Sequence, residues 1–458
     1  MVAIMGNKVA SNLTEGNVTK SLLKYMLPMV GSALVQAFFG MADIIMVGQF
    51  VGSGGMSGLN NSTQVIAMIT NIAIGLTVGG NILISQYFGA NRREDRREAS
   101  GTLFTASMIA GFVSMALLLI FSHPLLQLLR APSMEDAMTY LQVCAFGMPF
   151  IFGYNALSAI FRSIGNSRYP MIFILIASAV DMILNIVMIP VLHMGVLGAA
   201  LSTVIGQAIS FAVAFFFIMR EREFFEFTKS FLKIRWDKLK QMLKLGIPTA
   251  LQMSVAAFSW LFITYLLNDY GVVISSGNGI SIKIKDISGL FLHAISNCTA
   301  TMVAQNLGAK KFERAKKVLN SALLLAVILA VVNIILIEIF AYPLASIFTP
   351  EEAVRQAAVT NMRIEIFGQI FYALFLTYHG FAIGAGQTMF VLFSSFANCI
   401  VVRVVLAIIL NNILGYMGIY LACMIAPFIS VPIGYFYVKS NVWKRSIIEE
   451  KPEPQIET

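Results

Sequence analysis

The chain has 458 residues, of which 58% are hydrophobic and only 12% are charged, and its mean hydropathy is +0.79. A soluble domain would carry about twice this charged fraction, so the composition excludes a soluble globular protein and indicates a membrane protein. The formal net charge of +9 does not indicate nucleic-acid binding, because the basic residues cluster in short segments between long apolar runs.

These apolar runs predict an all-α integral membrane protein with twelve membrane-spanning helices. Each run has about 20 residues or more, the length that a helix needs to cross a bilayer. A helix also satisfies its own backbone hydrogen bonds, which lipid cannot do. In chain order, the predicted spans cover residues 22–50, 58–86, 100–122, 138–161, 170–192, 196–219, 243–267, 276–305, 318–341, 357–384, 388–412 and 416–438.

The distribution of basic residues predicts the orientation of the chain in the membrane. An even number of spans places both termini on the same side. Of the 32 Lys and Arg residues, 26 lie in the two tails and in the loops after even-numbered spans, whereas the loops after odd-numbered spans hold little beyond Arg130 and Arg355. By the positive-inside rule, we expect both termini to be cytoplasmic.

The two halves of the chain repeat each other at an offset of 219 to 221 residues. The clearest pair is Gln-Tyr-Phe-Gly-Ala at 86–90 and Gln-Asn-Leu-Gly-Ala at 305–309. We expect the glycines of this motif to end spans 2 and 8 in the left-handed conformation. Further matched pairs are Pro28 with Pro248, Gly147 with Gly368, Gly165 with Gly386, and Gly195 with Gly415.

This repeat predicts two pseudo-symmetric lobes of six helices each. Repeats with an even number of spans share one orientation and enclose a central cleft. We divide the chain into an N-terminal tail (1–20), a first lobe (21–220), a cytoplasmic linker (221–241), a second lobe (242–440) and a C-terminal tail (441–458). The linker mixes basic and aromatic residues, which favours either a helix on the inner leaflet or an ordinary solvated connection.

Asp43 is the strongest functional candidate because it lies deep within span 1. An ionised carboxylate there costs at least about 2.5–3.5 kcal/mol on insertion scales. Apolar surroundings disfavour the charged form, which would let the group load and release a proton. Gln36, seven residues earlier, shares its helix face. The alternative interpretation is an acid that merely pairs with a polar group of a neighbouring helix.

Span 5 adds two polar residues that share one helix face, Asp181 and Asn185. Together with Asp43, and with Thr203 of span 6, they would supply oxygen ligands to a sodium ion or form a relay for a proton. No other metal site is expected. The alternative for Asp181 is an acid that only stabilises helix packing.

Charged residues also lie within the spans of the second half. Arg403 interrupts a span of Val, Ile and Leu and must therefore face protein or water. We expect Lys283 to pair with Asp286, three residues away, while Lys285 faces elsewhere. The candidates for the substrate cavity are Gln36, Phe39, Tyr372, Lys283 and Arg403. Charge pairs that fix helix packing are the alternative for each charged residue, including Glu338 and Glu365.

The order and spacing of the motifs resemble the multidrug and toxic compound extrusion (MATE) family from about residue 20 to 440. The resemblance lies in the paired Gln-x-x-Gly-Ala motifs, Ala42–Gly48, Phe161–Pro170 and Gly195–Ala200. It implies two six-helix lobes, a V-shaped cleft, and export of amphipathic, often cationic compounds in exchange for protons or sodium ions. It also implies that Asp43 is the coupling acid. The basic loop after span 2 resembles the major facilitator signature more weakly.

The sequence departs from the family where further cation-binding acids are expected. The family pattern Asn-x-x-Leu-Asp-Pro in span 5 is replaced by Asn185–Pro190, with Ile189 in the acidic position. In the second half, Ala256 and Tyr372 occupy the positions of two further acids. The missing acids favour protons as the coupling ion, while the cluster around Asp43 leaves sodium open.

These features predict a non-enzymatic antiporter in the cell membrane, acting as a monomer without a cofactor and coupled to H⁺ or Na⁺. We expect it to bind small amphipathic or cationic substrates and membrane lipids, but no nucleic acid. The alternative is a flippase for lipid-linked precursors of the same superfamily. A flippase would place basic residues in the cavity to hold a pyrophosphate head group, and Lys283, Lys285 and Arg403 are the candidates for that role.

Overall fold

The computed structural model describes residues 10–128, 133–226, 229–444 and 447–448, and these ranges are helical, without β-strands. Ten helices are long and apolar enough to cross a membrane, and two bent pairs of helices bring the described spans to twelve. The predicted fold class is confirmed. Arg130 and much of both predicted tails lie outside the described residues.

The first lobe contains spans 1 to 6, and the second lobe contains spans 7 to 12. The first six are Val18–Phe50, Ser53–Gly89, Arg93–Leu128, Met134–Ala145 with Met148–Ser163, Arg168–Ile186 with the π-helix Val187–Val191, and Gly195–Arg220. The second six are Trp236–Asn268, Val272–Gly308, Phe312–Phe348, Glu352–Ile366 with Gln369–Gly384, Thr388–Phe396 with the π-helix Ala397–Val404 and Val405–Leu414, and Tyr416–Ile425 with the 3₁₀-helix Ala426–Ile429 and Ser430–Lys439.

The two lobes repeat each other in backbone detail. Spans 4 and 10 bend by 50° and 55° at matching breaks between their two helices. Gly165 and Gly386 follow these spans with φ of +82° and +74°, a conformation that glycine adopts without steric cost. Spans 5 and 11 each contain a π-helix, a feature common at functional sites. The offset found in the sequence therefore marks equivalent positions in space.

The lobes meet where spans 2 and 8 end, and glycine makes this contact possible. A Cβ atom on Gly89 would collide with the carbonyl oxygen of Gln305, and one on Gly308 would collide with that of Gln86. The prediction that Gly89 and Gly308 adopt the left-handed conformation is wrong. The residues with positive φ are Asn91 and Lys310, two positions later in each motif. The motif glycines are needed for close approach of the two helices.

The two motif glutamines cross this contact in opposite directions. Gln86 Nε2 donates to the carbonyl of Gly384, at 3.3 Å, in the second lobe. Gln305 Nε2 donates to the carbonyl of Ser163, at 2.7 Å, in the first lobe. Both glutamines are fully buried. The lobes are thus joined by two equivalent hydrogen bonds at one end of the molecule, which we call the closed end.

Away from the closed end, the lobes enclose a cleft. No residue of span 2 from 73 to 89 is exposed, and residues 294–308 of span 8 are buried apart from Asn297. The opposite halves of spans 1, 2, 7 and 8 instead expose polar side chains, which lipid would disfavour. These include Gln36, Gln64, Ser254 and Lys283. The cleft therefore opens at the end opposite the closed end.

The connection between the lobes packs against the first lobe. It contains a short helix, Arg222–Phe225, and a 3₁₀-helix, Lys229–Leu232. Phe225 and Phe231 are 5% and 1% exposed and belong to the first-lobe core. These two rings pack inside the protein, whereas Trp236, at the start of span 7, is 76% exposed. The contact of the linker with the inner leaflet stays a prediction. Phe227 lies outside the described residues.

A segment before span 1, residues 10–17, bridges the two lobes at the closed end. The Ser11 amide donates to the carbonyl of Ile164 in the first lobe, at 2.9 Å. The Leu13 amide donates to Gln305 Oε1 in the second lobe, at 3.1 Å. Further contacts to this segment come from Asn306, Lys311 and Arg314. We call residues 10–17 the strap, since they link both lobes outside the membrane spans.

Replacing Gly308 by Ala should reduce stability, because the new methyl group must displace the backbone of span 2. Overpacking of this kind costs about 1–3 kcal/mol. The control is Gly279→Ala in the same helix, where a Cβ meets nothing within 4 Å. Thermal unfolding followed by size-exclusion chromatography in detergent measures the difference. Equal unfolding temperatures for the two variants would contradict a close-approach role.

Deletion of residues 1–16 should shift the protein toward a state in which the closed end is open. Each lost hydrogen bond contributes about 0.5–1.5 kcal/mol, so losing several changes the population about tenfold or more. Distances between spin labels at Glu94 and Lys316, both exposed at the closed end, should lengthen. Deletion of residues 1–9 keeps the strap and is the control. Identical distance distributions for the two deletions would argue against the strap.

Candidate functional site

Asp43 is held in a hydrogen-bonded chain that joins three spans of the first lobe. Asn185 Nδ2, from span 5, donates to Asp43 Oδ1 at 2.7 Å. Ser202 Oγ, from span 6, lies 2.6 Å from Asn185 Oδ1 and donates to it. Asn185 and Ser202 are fully buried, while Asp43 is half-buried. The carboxylate on span 1 is therefore oriented by a fixed amide and keeps one oxygen for another partner.

Asp181 lies beside this chain and has unused capacity for binding a cation or proton. Its Oδ1 is buried and makes no hydrogen bond with any described residue. Gly206 gives it space, since a Cβ there would lie 3.1 Å from the Asp181 Cβ. Asp43 and Asp181 are close enough for electrostatic repulsion. Two interacting carboxyls favour binding of a positive charge between them.

The hydrogen bond from span 6 comes from Ser202, the residue next to the predicted Thr203. Thr203 Oγ1 donates to the carbonyl of Ala199 at 2.9 Å, and the Tyr140 hydroxyl lies within hydrogen-bonding reach of it. Ser202 and Tyr140 were not predicted from the sequence. The sequence shows the adjacent polar residues Ser202 and Thr203 on span 6, but it does not show how span 6 is rotated relative to span 5.

Ile189 fills the position where the family pattern has an acid. It is 2% exposed and packs in an apolar cluster with Val47, Cys144 and Val196, among others. It lies in the π-helix that ends span 5, together with Pro190. A carboxylate in this cluster would lack polar partners, so the substitution by Ile agrees with its surroundings.

The second lobe contains a cavity of about 340 Å³ between spans 7, 8, 10, 11 and 12. This volume is at the lower end of the range for ligand pockets. We call it the second-lobe pocket. Its charged and polar lining consists of Lys285, Asp286, His293, Glu365, Gln369, Tyr372 and Arg403, with Trp260 on one wall.

Within this pocket, Lys285 forms an ion pair with Glu365 Oε2 of span 10. Lys285 therefore faces away from the Lys283–Asp286 pair predicted from the sequence, as expected, but the ion pair predicted between Lys283 and Asp286 is not formed. Lys283 is exposed and makes no ion pair among the described residues, although it interacts with Asp286 electrostatically. The partner of Lys285 is 80 residues away in the sequence, so spacing along one helix could not identify it.

Arg403 points into the same pocket from the π-helix of span 11. It is 3% exposed, whereas its neighbours Val401 and Val405 are 53% and 47% exposed. Its Cζ lies 4.5 Å from the centre of the Trp260 ring. Its Nε and Nη1 make no hydrogen bond within the described part of the chain. The sequence-based expectation that Arg403 faces protein or water agrees with this position.

The remaining predicted cavity residues lie in two places. Gln36 is exposed and Phe39 half-buried on span 1, on the side of the first lobe. Tyr372 lines the second-lobe pocket, where its hydroxyl lies 3.4 Å from His293 Nε2. Ala256, the other position expected to hold an acid, is half-buried on span 7. The candidates therefore do not form a single site; they belong to two regions, one in each lobe.

Two pseudo-symmetric six-helix lobes around a cleft define a membrane transporter built from parallel repeats. The model of the MatE family matches residues 28–191 and 248–409, one match in each lobe. The chain belongs to the MatE family, and the resemblance inferred from the motifs is confirmed.

Individual relatives and solved structures support the same assignment over almost the whole chain. The probable multidrug resistance protein YpnP of Bacillus subtilis is 27% identical and covers 95% of this chain and 98% of its own length. The probable multidrug resistance protein NorM of Thermotoga maritima is 25% identical, covering 94% of both chains. A structure described as an outward-facing multidrug resistance MATE transporter has a TM-score of 0.89 at 19% identity, covering 95% and 98% of the two chains.

Proposed function

We propose that this protein exports small amphipathic compounds across the cell membrane in exchange for a cation, with protons as the coupling ion and Asp43 as the coupling acid. Its similarity to probable multidrug resistance proteins of Bacillus subtilis and Thermotoga maritima supports export of drugs. The observation that carries the proposal is the chain from Asp43 through Asn185 to Ser202 beside the unpartnered oxygen of Asp181. The protein would act as a monomer without a cofactor, with cytoplasmic termini.

Span 1 is one continuous helix that mechanically connects the proposed ion site with the closed end. Its outer half carries Asp43, while Leu22, Met26 and Val30 of its inner half belong to a core cluster with residues of spans 8 and 9. Pro28 lies within this inner half and cannot donate the usual helical hydrogen bond, which makes a bend there less costly. A change of charge at Asp43 would therefore alter the position of a helix that contacts both lobes.

Transport would follow from alternating access around the cleft. In the described state, the cleft opens opposite the closed end, as expected for release of a compound to the outside. Binding of a cation at Asp43 would then favour return to the other state. The ion shifts this equilibrium only by its differential affinity for the two states, so the geometry of Asp43 and Asn185 must differ between them.

The surroundings of Asp43 favour a proton over sodium. Sodium requires several converging oxygen ligands, whereas a proton requires one acid and an access path. Ile189 removes one expected ligand from the first lobe, and Asn185 already directs its Nδ2, a donor, at Asp43. Sodium is the alternative because Asp181 Oδ1 has no hydrogen-bond partner among the described residues, although Ser202 interacts with the Asp181 carboxyl group.

Replacing Asp43 by Asn should abolish gradient-driven export while leaving folding intact. Asn has the same size but cannot exchange a proton near neutral pH. The control is Asp237→Asn, since Asp237 is exposed at the closed end. Dye efflux from proteoliposomes and elution in size-exclusion chromatography measure activity and folding. Export at the wild-type rate by the Asp43 variant would refute its role.

A proton gradient at equal sodium should drive export by the purified protein in liposomes, and a sodium gradient at equal pH should not. The reason is the lack of a complete oxygen shell around Asp43. Liposomes that contain the Asp43→Asn variant are the control, because any loss of dye from them does not depend on the Asp43 carboxyl group. Export driven only by the sodium gradient would show that sodium, and not the proton, is the coupling ion.

The alternative function is a flippase for lipid-linked precursors. The specific observation in its favour is the unpartnered guanidinium of Arg403 near Lys285 in the second-lobe pocket. The two functions differ in their substrate, and transbilayer movement of a fluorescent lipid phosphate in the same liposomes distinguishes them.

A further inference from the structure

The second-lobe pocket contains a buried cation whose hydrogen-bonding capacity the protein does not use. Arg403 is 3% exposed, and its Nε and Nη1 have no hydrogen-bond partner among the described residues. A guanidinium carries five N–H donors in a planar fork that matches a carboxylate or phosphate. Burying a charge without a partner is costly. An anion from outside the chain would remove this cost.

Neither acid of the pocket forms an ion pair with Arg403 in the described part of the chain. Glu365 forms its ion pair with Lys285 through Oε2, and its buried Oε1 has no hydrogen-bond partner in the described chain. Asp286 is exposed and interacts electrostatically with Lys283 and Lys285. Since Glu365 pairs with Lys285 and not with Arg403, the Arg403 charge is available to a ligand.

Trp260 positions the guanidinium without occupying its donors. The Trp260 ring has Arg403 Cζ at 4.5 Å and Lys285 Nζ at 5.3 Å from its centre. Cation–π contacts use the face of the ring and leave the N–H groups free. Gln369 Oε1 on span 10 is a further buried acceptor that lacks a partner among the described residues, so the pocket also suits a ligand donor beside the anion.

We propose that the second-lobe pocket binds the anionic group, a carboxylate or a phosphate, of the amphiphile that this protein transports, with Arg403 as the bidentate donor. This inference rests on the proposed export function and narrows its substrates to zwitterionic and anionic amphiphiles. The pocket lies in the lobe opposite Asp43, so the anionic group and the coupling cation bind to different residues.

Binding of rhodamine B and of its methyl ester tests this proposal, because the two dyes differ only in the carboxylate. Fluorescence anisotropy in dodecyl maltoside, without any gradient, should give tighter binding of the acid by about tenfold or more. Arg403→Gln should abolish this preference, and Arg403→Lys, which retains charge but not the fork, should retain part of it. Arg355→Gln is the control, since Arg355 pairs with the exposed Glu352 outside the pocket.

Equal wild-type affinities for the two dyes would overturn the proposal, as would an unchanged preference in folded Arg403→Gln protein. Removing an unpaired charge should not lower the unfolding temperature, so this variant remains measurable. Asp43→Asn should keep the preference even without transport, which separates failure of this inference from failure of the export function. Displacement of rhodamine B by dodecanoate identifies a carboxylate ligand, and displacement by dodecyl phosphate alone identifies a lipid phosphate. Displacement by neither contradicts anion binding.

Discussion

The architecture depends on the crossing of spans 2 and 8 at the closed end. Gly89 and Gly308 allow the two backbones to touch, and Gln86 and Gln305 each donate to the opposite lobe. Because the two contacts are equivalent, neither lobe can separate at this end without breaking both. The strap adds a third link through Gln305 Oε1. The proposed alternating-access cycle would have to open this junction, so its strength would affect how readily the cleft changes sides.

The pseudo-symmetry of the backbone contrasts with the different chemistry of the lobes. Both carry a π-helix in their fifth span, yet the polar residues beside these helices differ. The first lobe presents the acids Asp43 and Asp181 with the amide of Asn185, whereas the second presents Arg403 and the Lys285–Glu365 pair. Duplication provided two equivalent frameworks, and substitution gave one an acidic and the other a mixed, partly basic interior.

The sequence predicted the spans and the repeat because both follow from patterns along the chain: long apolar runs and a constant offset. Asp43 could also be selected as a candidate from the sequence, since an intramembrane acid is costly wherever its helix lies. Contacts between different helices were harder to predict from the sequence. Because of the rotation of span 6, Ser202 and not the predicted Thr203 hydrogen-bonds to Asn185, and Lys285 pairs with Glu365 across spans 8 and 10. Helix rotation is set by packing, which spacing within one helix does not report.

The separation of the two polar regions constrains the proposed coupling mechanism. If an ion binds at Asp43 and a substrate binds in the second-lobe pocket, as we propose, the two share no ligand and do not compete for the same residues. Coupling would then act through the relative affinity of each for the two states of the cleft. Spans 1 and 8 are suited to this role, because each carries polar residues along the cleft and buried residues, such as Met26 and Cys298, in one shared core near the closed end. In the proposed mechanism, the energy that links ion and substrate would therefore be stored in helix packing between the lobes.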